Sequence, residues 1–168
     1  MQLYIMRHAI AALREEWVGP DGERPLTKNG RRRMRQASRG LRRLGVRFDL
    51  IASSPLVRAL ETARIAARVL RYRAPVEICP ALAPGLRAEA VFQFLASYPD
   101  AKRILLVGHE PDLGNLALTM IGGAHADRFP MKKGGVCRID VDSLPPTGPG
   151  TLIWALTPSI LRLLGRKT

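Results

Sequence analysis

Two cysteines, Cys79 and Cys137, are all that the 168 residues contain. They are too few for a disulfide framework and read as core or surface thiols. No His/Cys cluster has metal-ligand spacing, so no metal or other cofactor is expected. Aromatics are equally scarce, nine in all, and none forms a recognisable stacking motif for nucleic acid. Long apolar runs are missing too. The most apolar stretch, Thr151 to Leu164, is broken by Pro158 and Arg162 and falls short of the ~20 residues that span a bilayer. No membrane segment is expected. The chain opens on a strand-like Met1 to Met6 instead of a basic leader followed by an apolar run, which makes a cytoplasmic location the expectation.

Acidic residues are also in short supply, 14 against 27 basic ones, of which 22 are arginine. A net charge of +13 should draw anions of several kinds: nucleic acid, phosphate groups or acidic protein faces. A GC-rich genome would give the same arginine bias, so charge alone selects no partner.

What is present suffices for one packed core, with 46% of residues hydrophobic. The pattern shows no repeat, low-complexity tract or linker, so residues 1–168 are expected to form a single domain. Short runs rich in Val, Ile and Leu predict six strands: Gln2 to Met6, Asp49 to Ala52, Val76 to Cys79, Arg103 to Gly108, Val136 to Val141 and Thr151 to Thr157. Between them lie helical stripes, Met34, Ala37, Leu41 and Leu44 in one and Leu56, Leu60, Ala63, Ala67 and Leu70 in another. A third helix is predicted over Ala88 to Ser97, and a fourth after Pro111 with Leu113, Leu116, Ala117, Met120 and Ile121 on one side. Thr27 and Ser54-Pro55 read as helix starts. Strands alternating with helices predict an α/β domain of three α/β/α layers, with a mostly parallel sheet. The tail from Val136 onward reads as strands without helices, which suits an antiparallel edge.

In strand order, polar groups fall at equivalent places. Arg7-His8 follow the first strand, Arg58 lies one turn into the helix after the second, and His109 follows Arg103 to Gly108. In a parallel sheet these are carboxyl ends, where residues distant in sequence converge on one crevice. Two arginines and two histidines suit a tetrahedral oxyanion, phosphate being the natural guess: guanidinium forks bind its oxygens, and a neutral imidazole can take up a phosphoryl group and pass it to water. Taken singly, each residue has an ordinary reading. His8 could end a strand, Arg58 could decorate a helix that also carries Arg64 and Arg68, and His109 could cap the next helix.

The segments Leu3 to Ala9 (LYIMRHA), Ser53 to Ala63 (SSPLVRALETA) and Val107 to Asp112 (VGHEPD) resemble the three signature segments of the histidine phosphatase, or phosphoglycerate mutase-like, superfamily. The compact length, RPLT at Arg24 to Thr27 and LAPG at Leu82 to Gly85 are similar to its small branch, the SixA-type phosphohistidine phosphatases. The resemblance spans residue 1 to about 157 and implies a phosphoglycerate mutase-like fold. It implies His8 as the phosphorylated nucleophile, with Arg7, Arg58 and His109 completing the phosphate pocket and Arg24 as a further contact. Ala9 stands where the commonest motif has glycine. For the proton donor, Glu23, Glu89, Glu110 and Asp112 all stay open, the last two also reading as ordinary helix-start residues.

The expected activity is that of a metal-independent phosphatase acting on phosphohistidine in a signalling or phosphotransfer protein, such as a histidine-containing phosphotransfer domain. Only 23 residues, Pro80 to Lys102, separate the third and fourth strands. That leaves no room for a large lid and favours a phosphate displayed on a protein. A general phosphomonoesterase acting on a small phosphate ester is the alternative enzyme. A basic binding protein for nucleic acid or acidic partners, using the arginines between Arg31 and Arg47, is the alternative without chemistry, and it leaves the three segments unexplained. Those arginines are expected to form the wet face of one helix, on which acidic partners could be steered. Lys132 and Lys133 read as an exposed turn, and His125 as a solvated loop residue.

Overall fold

The computed structural model describes residues 1–85, 87–122 and 129–166; His125 lies outside them. Strands β1 (Gln2–Arg7), β2 (Leu50–Ser53), β3 (Glu77–Ile78), β4 (Arg103–Gly108), β5 (Val136–Asp140) and β6 (Thr151–Leu156) make one sheet in the order β3-β2-β4-β1-β5-β6. The four strands from β3 to β1 run parallel, and β5 is antiparallel to both β1 and β6. The tail therefore supplies the expected antiparallel edge.

Alternation along β1 builds two cores. Leu3 and Ile5 face a layer made by α3 (Ala88–Ala96) and α4 (Asp112–Met120), through Val91, Leu95, Leu113 and Leu116. Tyr4 and Met6 face the opposite layer of α1 (Lys28–Arg43), α2 (Val57–Leu70) and α5 (Pro158–Leu164), through Met34, Ala63 and Leu161. The result is the α/β/α arrangement expected. No helix among the described residues is long and apolar enough to cross a membrane.

Four expectations need correction. The tail is not free of helices: α5 starts where the Thr157 side chain accepts from the Ile160 N–H with Pro158 at the first helical position, a Thr-Pro signal hidden by the apolar run around it. Leu44 is exposed, because α1 ends before it. Ser54 does not start α2. The helix begins at Val57 behind Leu56, without a side-chain cap, and Ser54 accepts from the Leu56 N–H instead.

The fourth correction concerns the buried stripe of α2, which is Arg58, Ala59, Thr62, Ala63, Ala66 and Ala67. It is rotated from the leucine stripe read in the sequence. Small residues bring α2 close to the sheet while Leu56 and Leu60 stay half-buried, and that rotation carries Arg58 inside. Thr27, by contrast, caps α1 as expected, accepting from the Gly30 N–H at 2.9 Å.

Candidate active site

Seven polar or charged residues are buried among those described: His8, Ser38, Ser53, Ser54, Arg58, Thr62 and His109. All but Ser38 gather at the carboxyl ends of β1, β2 and β4, so the interior turns polar at one place. Buried polar groups need partners, and a cluster of them marks a site.

The sheet register sets the geometry. Arg7 lies beside Gly108 in the parallel β1–β4 pair, and the His8 N–H donates to the Gly108 carbonyl at 3.0 Å. His8 and His109 therefore leave adjacent strands together, with ring centroids 5.1 Å apart. On the other side of β4, the Ser54 N–H donates to the Val107 carbonyl at 2.9 Å. This places the Ser54 hydroxyl 2.9 Å from His109 Nε2. Ser54 Oγ already accepts from Leu56 N–H, and its own hydrogen is free to donate to Nε2. In the tautomer in which Ser54 donates to Nε2, the His109 proton sits on Nδ1.

His8 Nδ1 lies 2.7 Å from the Ala9 carbonyl. A carbonyl only accepts, so Nδ1 carries the proton and Nε2 keeps its lone pair. Burial, together with nearby His109, Arg58 and Arg7 and against the bond to Ala9, lowers the His8 pKa to about 3. Burial and the Arg58 charge lower that of His109 to about 4. Both rings are neutral near pH 7. Ala9 carries no conformational penalty, since Arg71 is the only described non-glycine residue at positive φ. Its N–H donates to Thr62 Oγ1 at 3.0 Å, and that hydroxyl donates to the Arg58 carbonyl at 2.7 Å, tying the His8 segment to α2.

Arg7 is fixed from the opposite side. Its Nη1 donates to the Met131 carbonyl at 2.7 Å, and Gly134 N–H reaches the Arg7 and His8 carbonyls at 3.1 Å. Gly134 adopts φ 83°, where a side chain would strain the turn. Lys132 and Lys133 of this turn are exposed.

Arg58 and Arg24 meet through a residue that the sequence reading passed over. Within the Gly- and Pro-rich stretch from Trp17 to Pro25, residues Asp21–Glu23 form a short 3-10 turn. Arg58 Nη1 donates to the Asp21 carbonyl at 2.8 Å and Nη2 to its carboxylate at 3.0 Å. Arg24 grips the other carboxylate oxygen at 3.0 Å and the Ala12 carbonyl at 2.7 Å. Arg24 is thus joined to the site through Asp21. The signal available was spacing: Asp21 lies three residues before Arg24.

Of the acidic candidates, Glu23 and Glu89 are exposed. Asp112 accepts from Gly85 N–H at 2.9 Å. Glu110 is half-buried beside Arg7, and burial raises its pKa. The arginines of α1 lie on its wet side as expected, all exposed except half-buried Arg31, while Met34, Ala37 and Leu41 face the core. Arg31 and Arg35 line a groove toward α2 with Glu61, whereas Arg39, Arg42 and Arg43 turn toward α5.

Three buried nitrogens of these residues, Arg7 Nε, Arg58 Nε and His109 Nδ1, have no hydrogen-bond partner. Unpartnered nitrogens on three buried side chains at neighbouring strand ends mark a candidate oxyanion site. Residues 3–83 match the family model of the histidine phosphatase superfamily, branch 1. An uncharacterized protein of Picosynechococcus is 39% identical over 139 residues, covering 81% of this chain and 82% of its own. The structure of the protein histidine phosphatase SixA complexed with tungstate superposes with a TM-score of 0.83 at 26% identity, over 96% of this chain and 99% of that one. The alpha-ribazole phosphatase from Shigella flexneri shares the fold at a TM-score of 0.71 and 21% identity, over 94% of this chain and 97% of that one. The chain belongs to the histidine phosphatase superfamily and is a hydrolase of that class with the phosphoglycerate mutase-like fold.

Proposed function

We propose that this chain, as a single domain, is a phosphohistidine phosphatase that works through a phosphohistidine on His8. One observation carries the reading: the unpartnered buried nitrogens Arg7 Nε, Arg58 Nε and His109 Nδ1 belong to residues at the strand ends, beside a histidine whose Nε2 is unprotonated. A phosphoryl group supplies the acceptors those donors lack.

His8 Nε2 attacks phosphorus in line, the bond to the leaving group breaks, and its electron pair departs with that group. When the substrate is a phosphorylated imidazole whose distal nitrogen is protonated, the imidazole leaves as a neutral molecule, so little is asked of a proton donor. Water then attacks phospho-His8, the P–N bond breaks, and inorganic phosphate departs with His8 again neutral. Arg7, Arg58 and His109 hold the charge that grows on the equatorial oxygens, in fixed positions that need no reorganisation.

A protein-borne phosphate is supported by the segment between β3 and β4. Leu82, Val91 and Leu95 of that segment are buried in the core, so α3 covers the sheet and is not spent on a lid. The likeness to SixA, named a protein histidine phosphatase, points the same way. The experiment compares turnover of a phosphorylated histidine-containing phosphotransfer protein, free phosphohistidine and a panel of sugar phosphates by one preparation. Acid-labile label on quenched enzyme is expected in wild type and absent in His8→Ala. Faster turnover of sugar phosphates would replace this reading by a general phosphomonoesterase, and label persisting in His8→Ala would move the nucleophile to another residue.

A further inference from the structure

We propose that the hollow between α1 and α5 is a second anion site, which takes a chain of linked phosphates. It stands apart from the catalytic reading. Arg39 lies twelve residues past Thr27, about 18 Å of helix rise away from the end of α1 that abuts the His8 loop.

The hollow encloses about 780 Å³ and is lined by Gln36, Arg39, Arg42, Arg43, Arg162, Gly165 and Arg166, a volume within the roughly 300–1,000 Å³ of small-molecule sites. Five of those seven residues are arginines and none is acidic. Among the described residues, none of the five takes part in an ion pair, whereas Arg31, near the start of the same helix, pairs with Glu61 at 3.0 Å. Helix dipoles account for arginines in the last turns, Arg42 and Arg43 of α1 and Arg162 of α5. They do not account for Arg39 and Arg166 closing the same ring.

The walls are built by helix packing. A methyl group on Gly40 would overlap the Leu161 carbonyl, and one on Gly165 would overlap the Gln36 carbonyl. The two helices therefore touch backbone to backbone, and their carboxyl ends meet. Arg43 Nη1 fixes that junction by donating to the carbonyls of Leu164, at 2.9 Å, and Arg166. Arg39, Arg42, Arg162 and Arg166 remain to face the hollow.

The four guanidinium groups left facing one concavity repel each other, and a ligand with closely spaced charges relieves that repulsion best. Linked phosphates place a charge on each successive phosphorus and match guanidinium forks oxygen by oxygen. Carboxylates on an acidic helix spring from Cβ atoms about 5–6 Å apart and are not covalently linked to one another, and a flat protein face does not fill a hollow. The site thus selects a phosphate chain, either inorganic or at the end of a nucleotide.

The test is calorimetric titration of tripolyphosphate, adenosine triphosphate and a short DNA duplex at constant ionic strength. Four proteins are compared: wild type, Arg58→Ala, Arg39→Gln/Arg42→Gln, and Arg64→Gln/Arg68→Gln as a control of equal charge loss. All the changed arginines except Arg58 are exposed, so the fold is retained. One-to-one binding of tripolyphosphate that survives in Arg58→Ala and in the control, and weakens at least tenfold in Arg39→Gln/Arg42→Gln, supports the site. Equal affinity for the nucleotide extends the site to nucleotide chains, and weaker nucleotide binding restricts it to inorganic ones. Loss in Arg58→Ala alone would assign the binding to the catalytic pocket. Equal weakening in both double variants, or binding of the duplex in place of tripolyphosphate, would reduce the hollow to diffuse positive charge and overturn the proposal.

Discussion

Arg58 donates to Asp21 twice, at 2.8 Å to its backbone carbonyl and at 3.0 Å to its carboxylate. Arg58 is 4% exposed, and a buried guanidinium needs such a partner to remain in one orientation. Each of its terminal nitrogens spends one hydrogen on Asp21 and keeps the other, while Nε stays unengaged. Asp21 thus orients the fork without consuming it.

Asp21→Ala is therefore expected to lower kcat/KM about tenfold, the low end of the roughly 1.5–3 kcal/mol of one hydrogen bond to a charged group, because the backbone carbonyl still holds Arg58. Asp21→Asn retains the carbonyl and one side-chain acceptor and should lose less. Arg58→Ala removes the donor itself and should cost on the order of 100-fold. Steady-state kinetics on the three variants check the ranking. An Asp21→Ala enzyme as fast as wild type would make the pair a matter of stability alone.

Ser54→Ala tests the His109 tautomer. Without the hydroxyl, the buried Nε2 loses its 2.9 Å partner and the proton is free to redistribute between the two ring nitrogens. A fall in kcat of about tenfold is expected, in line with the roughly 1–3 kcal/mol of an unsatisfied buried group. The imidazole nitrogen shifts of His109, read by NMR, should move away from a single Nδ1–H form. A kcat within twofold of wild type would take Ser54 out of the site.

The sequence made most of the site legible because its parts sit on regular elements. Arg7, His8 and His109 follow strands whose apolar runs are unmistakable, and parallel pairing of β1 with β4 does the rest. Arg58 could be placed on α2 but not on its inner face. That face is set by the small residues Ala59, Ala63 and Ala66 packing closely on the sheet, which a leucine stripe conceals. Asp21 was out of reach for a different reason. It lies in an irregular loop, and its role depends on two arginines that only tertiary folding brings to it. Ser54 was misread as a cap because Ser-Pro is a strong local signal, whereas the strand end claims its backbone N–H and His109 its side chain.

Gly30 supports the site from beneath. A methyl group there would overlap the Ile10 carbonyl, which accepts the Thr27 N–H at 3.0 Å two residues after His8. Two effects oppose each other in Gly30→Ala. Alanine gains about 1 kcal/mol of helix propensity, and overpacking against backbone costs typically 1–3 kcal/mol or more. The second should win, because a carbonyl anchored by Thr27 cannot swing aside as a side chain would. A lowered Tm together with lower kcat is expected, and a raised Tm would show that the Ile10 segment yields freely.

Acid should weaken the fold through the same two histidines that serve the site. His8 and His109 have pKa values lowered to about 3 and about 4 by burial and neighbouring arginines, against about 6.5 in an unfolded chain. Between those values the unfolded state binds protons that the native state refuses, so stability rises with pH in this window. The contribution is complete above about pH 6.5 and declines as pH falls, until the native rings themselves protonate near pH 3–4. Unfolding at pH 5 should therefore take up about two protons from solvent onto these rings. Wild-type Tm is expected to fall steadily from pH 7 to pH 5, and the double variant His8→Gln/His109→Gln to show a much flatter profile over the same range. The same depression keeps His8, the proposed nucleophile, unprotonated in weak acid, so kcat/KM should lack a limb near pH 6.5. An inflection at that pH which disappears in His109→Gln would assign it to His109 and show that this ring titrates higher than its burial implies.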